Sequence, residues 1–311
     1  MTLDPSYLTY DRRGYGMDHD RYGWSMLHRR APVEWPGGAQ VALLIVPALE
    51  WFPLDMANQP FAPPGAMSTA YPDLRHYTLR DYGNRVGIYR IRDALAARGL
   101  KATAAVNAAV AVRYPSLMRA AAAAGWEVMA HGLDMDHLHH GGMGRETERA
   151  LIATTLDRLE EATGTRPAGW MSPAKSQSRA TPDLLQEAGI AWCCDWDNDD
   201  LPYRMKAGGG HLVSLPVSPD SDDHAILVKN HHTEDSFAEQ LVDQVDFLRA
   251  EASRAGCGRI MSIALTPWVT GQPYRIGALE AALDTILARG GVWPATGSEI
   301  VAAWAAQVPP D

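Results

Sequence analysis

Acidic, imidazole and hydroxyl side chains stand directly after three short apolar runs of the sequence. Glu50 follows QVALLIVPAL, His131 follows EVMA, and Thr266 follows IMSIAL. A carboxylate, an imidazole and a hydroxyl together suit general acid–base hydrolysis, because one group accepts a proton from water while another donates one. The sequence therefore predicts a hydrolytic site if these runs are strands that end at one place in the fold.

Further polar and aromatic residues follow apolar runs in the same way and are candidate substrate contacts. These residues are Trp51, Ser172, Asp197, Asn198 and Trp268. Each candidate has a structural alternative. Glu50 could form a buried ion pair, His131 could be a hydrogen-bonded core histidine, and the tryptophans could belong to the core.

The segment HGLDMDHLHH contains four histidines and two aspartates, a composition typical of metal sites. Metal-binding histidines usually have a fixed spacing such as i, i+4, and the residue four after His131 is Met135. We therefore expect no cofactor. Zinc or another divalent metal stays an alternative, with Glu50, His131 and His137 as its ligands.

Composition excludes several classes of partner. The chain of 311 residues carries a formal net charge of -9, whereas nucleic-acid binding needs a basic surface. No apolar run approaches the roughly 18 residues of a membrane-spanning helix. The N-terminal sequence has no apolar signal-peptide core, and the three cysteines are too few for a disulfide framework. We expect a cytoplasmic protein that acts on a small molecule.

The candidates need a scaffold of alternating strands and helices. Residues 1–37 form an irregular arm rich in Tyr, Arg and Asp, and residues 38–308 form one barrel domain in this interpretation. Apolar runs predict strands at 40–49, 102–106, 126–130, 168–171, 191–194, 212–215, 260–265 and 292–293. Helical periodicity predicts helices at 84–98, 114–124, 146–163, 181–188, 276–288 and 298–306, and a long one beginning near 233.

Several stretches of the chain resemble the NodB-type polysaccharide deacetylase superfamily, in particular its branch of PuuE-type allantoinases. They are WPGGAQVALLIVPALE, RDYGNRVGIYRI, EVMAHG, RPAGWMSP, TPDLLQEAGI, DWDNDDLPY and GQPYRIGALEAAL, in order along nearly the whole chain. The resemblance implies an α/β fold, a single deformed seven-stranded (β/α) barrel. It also implies a homo-oligomer in which neighbouring subunits help to shape the site.

The chain departs from the family pattern at three positions. Metal-dependent members carry two aspartates after the first strand, and this chain has Glu50 and Trp51 there. Met135 replaces the second metal-binding histidine, and Thr266 replaces a histidine that serves as acid or oxyanion donor. A threonine hydroxyl can donate a hydrogen bond, but it cannot deliver a proton at neutral pH.

The residues and the resemblance together predict a hydrolase of a non-peptide C–N bond in a small cyclic or linear amide, imide or ureide. Glu50 would be the general base, and His131 would stabilise the oxyanion or protonate the leaving nitrogen. Hydroxyl and amide groups of Thr266, Ser172 and Asn198 would orient the carbonyl, beside a flat wall formed by Trp51, Trp170 and Trp268. The alternatives are a metal-dependent deacetylase of an acetylated sugar and a ligand-binding barrel without catalysis.

Overall fold

A computed structural model describes residues 10–70 and 72–309, and this part of the chain contains nine strands and nine α-helices. The strands are β1 (Val41–Leu49), β2 (Thr103–Val106), β3 (Glu127–Ala130), β4 (Gly169–Trp170), β5 (Trp192–Cys193), β6 (Tyr203–Ala207), β7 (Gly210–Ser214), β8 (Arg259–Leu265) and β9 (Val292–Pro294). The helices are α1 (Leu74–Tyr82), α2 (Ile88–Ala96), α3 (Ala108–Arg113), α4 (Pro115–Ala123), α5 (Arg145–Thr163), α6 (Thr181–Glu187), α7 (Glu234–Ala255), α8 (Ile276–Arg289) and α9 (Gly297–Ala305).

The strands form one curled sheet, in the order β6-β7-β5-β4-β3-β2-β1-β8, and β9 also pairs with β1. All pairs are parallel except the β6–β7 hairpin. The predicted deformed (β/α) barrel is confirmed, and its strand count of seven is only approximate. The sequence reasoning missed β6, because its YRMKA pattern mixes charged and apolar residues and the Gly-rich turn after it is short.

The burial of strand β1 explains why the most apolar run of the sequence was the easiest element to predict. Its backbone pairs with β2 and β8, and its side chains are buried on both faces of the sheet. Strands covered on both faces read as continuous apolar runs because neither face meets water. The predicted helix at 84–98 begins earlier than expected, since α1 and a π-helical turn (Gly83–Gly87) precede α2.

The N-terminal segment packs on the barrel as far as the structure describes it. Arg21 is buried and forms an ion pair with Asp183 of α6. The indole nitrogen of Trp35 donates to the carbonyl oxygen of Arg259 at 2.8 Å. Residues 1–9 of the predicted arm lie outside the described residues, and the domain boundary at 37/38 stays a prediction. Within the described ranges, no helix is both long and apolar enough to cross a membrane.

The sheet is closed between β7 and β8 by a loop that carries two adjacent aspartates. Asp222 forms an isolated parallel bridge with Ala264 of β8. The buried Asp223 carboxylate accepts the backbone N–H of Thr266 at 2.8 and 2.9 Å, and it accepts the hydroxyl of Thr270 at 2.5 Å. Burial, with a smaller contribution from the Asp222 charge, raises the pKa of Asp223 to about 7. This carboxyl group therefore positions the end of β8.

A second buried carboxylate fixes the segment that follows β3. Glu148 in the first turn of α5 contacts the Nδ1 atom of His139 at 3.1 Å, and it accepts hydrogen bonds from Ser178 and Thr181. Both ionisable side chains are fully buried. Burial alone would raise the pKa of Glu148, but hydrogen bonds led by that from His139 outweigh it, and the pKa is lowered. His139 is therefore a structural histidine.

We expect Glu148→Ala to lower the free energy of unfolding by about 3–5 kcal/mol, because the buried hydrogen-bond donors that contact Glu148 would lose their acceptor. Denaturant unfolding followed by circular dichroism measures this loss. Glu146→Ala is the matched control in the same helical turn, since that side chain is 81% exposed and forms a surface ion pair with Arg149. It should change the stability by less than about 1 kcal/mol. Equal losses for the two variants would contradict the structural role of Glu148.

A raised pKa at Asp223 makes stability depend on pH in a defined direction. An unfolded aspartate ionises near pH 3.9, whereas the folded group stays protonated until about pH 7. Its stabilising contribution is therefore fully present below the unfolded pKa and is lost as pH rises through the folded pKa. We expect the wild type to lose stability relative to Asp223→Asn between about pH 4 and 7, as measured by urea unfolding. Parallel pH curves for the two proteins would refute the raised pKa.

Candidate active site

A cavity of about 540 Å³ opens at the carboxyl ends of β1, β3 and β8. Four of the residues predicted from sequence line it: Glu50, His131, Thr266 and Trp268. Apolar and polar side chains complete the wall: Val46, Phe61, Met135, Met171, Lys175, Asp222, His224 and Lys229. A larger cleft of about 730 Å³ lies beside the N-terminal segment and β6, away from the strand ends, and none of those four residues lines it. The chemistry favours the smaller cavity.

Glu50 is held at the end of β1 by a contact from the π-helical turn, which also packs against the segment after β8. The side-chain amide of Asn84, on the π-helical turn, donates to the Glu50 carbonyl oxygen at 2.9 Å. This turn approaches the segment after β8 so closely that a methyl group at Gly83 would lie 2.8 Å from the Trp268 nitrogen. One at Gly87 would clash with the carbonyl oxygen of Pro267. The family-like stretch at 80–91 therefore contains glycines because two backbones meet there.

His131 presents one defined nitrogen to the cavity. Its ring is 2% exposed, and Nδ1 lies 2.8 Å from the carbonyl oxygen of Met171. A carbonyl only accepts, so in the neutral ring Nδ1 carries the hydrogen and Nε2 keeps its lone pair. Nε2 lies 3.6 Å from Oε1 of Glu50 and has no hydrogen-bond partner among the described residues. The Glu50 side chain is 16% exposed, so both groups meet at the cavity surface.

Asn107 ties the ends of β1 and β3 together, and the sequence reasoning did not single it out. Its Oδ1 accepts the backbone N–H of Trp51 at 2.7 Å, and its Nδ2 donates to the carbonyl oxygen of His131. The residue is fully buried. It stands directly after β2, which is the same kind of position that pointed to Glu50 and His131, so the signal was present in the sequence.

Three further residues beside the cavity also escaped the sequence reasoning. Asp222 and His224 belong to the loop after β7, and the His224 ring meets the Trp268 ring edge-on at a centroid distance of 5.5 Å. The buried guanidinium of Arg80 lies 4.0 Å from the centre of the Trp268 ring. Burial lowers the pKa of Arg80 to about 10, although Glu50 and Asp73 oppose this shift. No strand precedes the loop residues directly, so the rule used for Glu50 does not find them.

The structure places the other predicted substrate contacts away from the cavity lining. Trp51 packs against Tyr77 and beneath the guanidinium of Arg113, because the chain turns outward after Glu50. The buried Ser172 hydroxyl donates to Oδ2 of Asp195 at 2.8 Å. These two side chains are engaged by other partners and do not line the cavity, and Trp170 is fully buried in the core.

Asp197 and Asn198 differ in their distance from the cavity. Asp197 accepts from the ammonium of Lys175 at 2.5 Å, so it contacts the cavity only through that lysine. Asn198 donates to the Tyr22 hydroxyl at 2.6 Å and accepts from the Tyr203 hydroxyl at 2.8 Å, in the larger cleft. A role for Asn198 in orienting a substrate carbonyl beside Glu50 has no geometric support.

The residues present do not fit a resident metal ion of the family type. Glu50 and His131 could supply two metal ligands. The position at which the family pattern has a second histidine is Met135, whose thioether lines the cavity. His137, the proposed alternative ligand, is 52% exposed and its Nδ1 contacts Asp134 at 2.6 Å. Over residues 10–70 and 72–309, no group of three His, Cys, Asp or Glu side chains is arranged to hold an ion. We therefore derive no step through a metal.

Comparisons with known proteins agree with this fold. Residues 77–192 match the family model of polysaccharide deacetylase. A curated protein of Schizosaccharomyces pombe, described within the same family, is 26% identical over 74% of this chain and 76% of its own length.

Two solved structures resemble nearly the whole chain. A Pseudomonas aeruginosa PAO1 protein described as a polysaccharide deacetylase by family is 26% identical with a TM-score of 0.81, over 91% of this chain and 97% of its own. PuuE allantoinase is 28% identical with a TM-score of 0.81, over 97% of this chain and 99% of its own. Residues 77–192 thus carry a polysaccharide deacetylase (NodB) domain, and this match together with the similarity to PuuE allantoinase supports a hydrolase that acts on carbon–nitrogen bonds other than peptide bonds.

Proposed function

We propose that this protein hydrolyses a C–N bond in a small cyclic or linear amide, imide or ureide, with Glu50 as the general base and without a resident metal. The observation that carries the proposal is the pairing of Glu50 and His131 over one cavity. Their facing atoms are 3.6 Å apart, which is too long for a direct hydrogen bond. Both atoms accept protons, and a water molecule has two protons to donate.

The tautomer of His131 determines whether its Nε2 atom accepts or donates a hydrogen bond during the reaction. With Nδ1 donating to Met171, the neutral ring offers only an acceptor at Nε2. Water that donates one hydrogen to Glu50 and the other to His131 turns its oxygen lone pair toward the bound carbonyl. Glu50 then removes a proton as the oxygen attacks. In this arrangement His131 orients the nucleophile, which differs from the donor role that the sequence alone suggested.

The size and lining of the cavity support a small substrate. A volume of about 540 Å³ lies within the usual range of small-molecule sites. Trp268, Met135 and Met171 provide apolar walls on which a flat ring can lie. Arg80 stacks on the outer side of the Trp268 ring and fixes its orientation. The similarity to PuuE allantoinase favours a ureide within this class.

The proposal predicts a rate defect on removal of the base. Purified protein is assayed against a panel of cyclic ureides, cyclic imides, linear amides and N-acetylated sugars. For any substrate that turns over, Glu50→Gln should lower kcat by about 10²–10⁴-fold with little change in KM. Glu146→Gln, on the exposed face of α5, is the control and should keep the wild-type rate. Full turnover by Glu50→Gln would refute the mechanism.

The small number of possible metal ligands also predicts how the enzyme responds to chelators. Protein dialysed against EDTA should keep its turnover, and elemental analysis should find no stoichiometric zinc, because Glu50 and His131 alone make a weak site. Chelation that abolishes activity, followed by recovery on adding zinc, would instead favour the metal-dependent deacetylase of an acetylated sugar. Activity confined to N-acetylated sugars in the panel would point in the same direction.

A further inference from the structure

Breaking a C–N bond needs a proton donor that the proposed function has not yet provided. An amine leaves as a neutral molecule only if its nitrogen takes up a proton as the bond breaks. Glu50 is ionised when it acts as the base, and Nε2 of neutral His131 is an acceptor. Thr266 cannot deliver a proton at neutral pH.

His224 is a titratable side chain that lines the same cavity and has no assigned role. It begins a π-helical turn (His224–Lys229) in the loop that closes the sheet, and its backbone N–H donates to Oδ1 of Asp222 at 2.7 Å. The ring meets Trp268 edge-on, which fixes its plane against the cavity wall. Within the described part of the chain, no hydrogen bond engages either of its ring nitrogens. The imidazole is therefore half-buried and available to a ligand.

Charged groups from three parts of the fold face this imidazole. Glu50 after β1 and Asp222 in the same loop favour its protonated form, whereas Arg80 of α1 and Lys229 at the end of the π-helical turn oppose it. Burial has the largest effect, and the pKa of His224 is lowered from its ordinary value. A lowered pKa makes the imidazolium a stronger acid toward a leaving nitrogen, and it also lowers the fraction of His224 that is protonated at neutral pH. Glu50 and His224 both line this cavity, so a bound substrate can contact the two groups at once.

We propose that His224 is the general acid of the reaction and donates the proton that the leaving nitrogen takes up. This assignment rests on the proposed function and names the group that replaces the histidine missing at Thr266. In the first step an oxygen–carbon bond forms, and one water proton passes to Glu50. In the second step the carbon–nitrogen bond breaks, and the nitrogen takes its proton from His224.

The proton balance of the cycle closes without another reactant. After the second step Glu50 is protonated and His224 is neutral. Release of one proton by Glu50 and uptake of one by His224, through water, restore both groups. The net change is the consumption of one water molecule, which yields a carboxylic acid and an amine. The general base and the general acid thus stand on separate elements, the end of β1 and the loop before α7.

The experiment compares two substrates that differ only in their leaving group. One is a linear alkylamide turned over in the panel, whose amine must be protonated. The other is the nitrophenyl ester of the same acid, whose phenolate leaves without a proton. We expect His224→Asn and His224→Gln to lower kcat/KM for the amide by about 10²-fold or more and to leave the ester rate unchanged. Glu50→Gln should slow both substrates.

His211→Asn is the matched control, because this histidine is exposed on β7 and lies outside the cavity. Thermal unfolding of each variant separates loss of function from loss of fold, and a misfolded preparation would lose both activities together. Equal losses for amide and ester in folded His224 variants, or full amide turnover in both, would overturn the role of His224 and leave Glu50 untouched. A wild type that turns over nothing in the panel would overturn the proposed function itself.

Discussion

The hydrogen bond from Nδ1 of His131 to the carbonyl oxygen of Met171 sets the chemistry of the whole cavity. It joins the ends of two neighbouring parallel strands, β3 and β4, and it uses the only hydrogen of the neutral ring. The remaining nitrogen can then only accept, and it faces Glu50. Because two acceptors face each other, the polar group between them must donate twice, as water does. The donors that the reaction needs must come from elsewhere in the fold.

Those donors are brought by segments that are not strands. The loop between β7 and α7 closes the sheet through Asp222 and Asp223, and the same loop places His224 against Trp268. The closing interactions are buried hydrogen bonds to the backbone of Thr266. The same loop therefore both contacts β8 and positions the His224 imidazole at the cavity. Residues in such a loop are not found by a search limited to the positions that directly follow strands.

The family relationship fixes the scaffold more firmly than the reaction. The chain shares its fold with polysaccharide deacetylases and with PuuE allantoinase over nearly its full length. Fold alone does not determine chemistry, because activity depends on the few side chains at the site. Here Trp51, Met135 and Thr266 replace polar groups expected of metal-dependent relatives. Trp51 packs outward, and Met135 adds apolar surface to the cavity wall.

Local sequence pattern predicted the strands that are mostly buried. The apolar runs of β1, β3 and β8 identified the strands, and the residue after each run identified Glu50, His131 and Thr266 as neighbours of the cavity. The same rule applied to β4 and β5 pointed to Ser172 and Asn198, which other side chains engage. These strands are only two residues long, so a shift of one residue in where the backbone turns redirects every following side chain.

The sequence by itself determined the barrel, the acid after the first strand and the imidazole after the third. Continuous apolar runs are local signals, and parallel strands carry their following residues to one edge of the sheet. Only the tertiary structure decided which nitrogen of His131 faces Glu50, that Asn107 links the two strand ends, and that Arg80 and His224 flank Trp268. Those facts depend on contacts between residues distant in the chain, and a hydrogen bond to a carbonyl across strands leaves no periodic trace in the sequence.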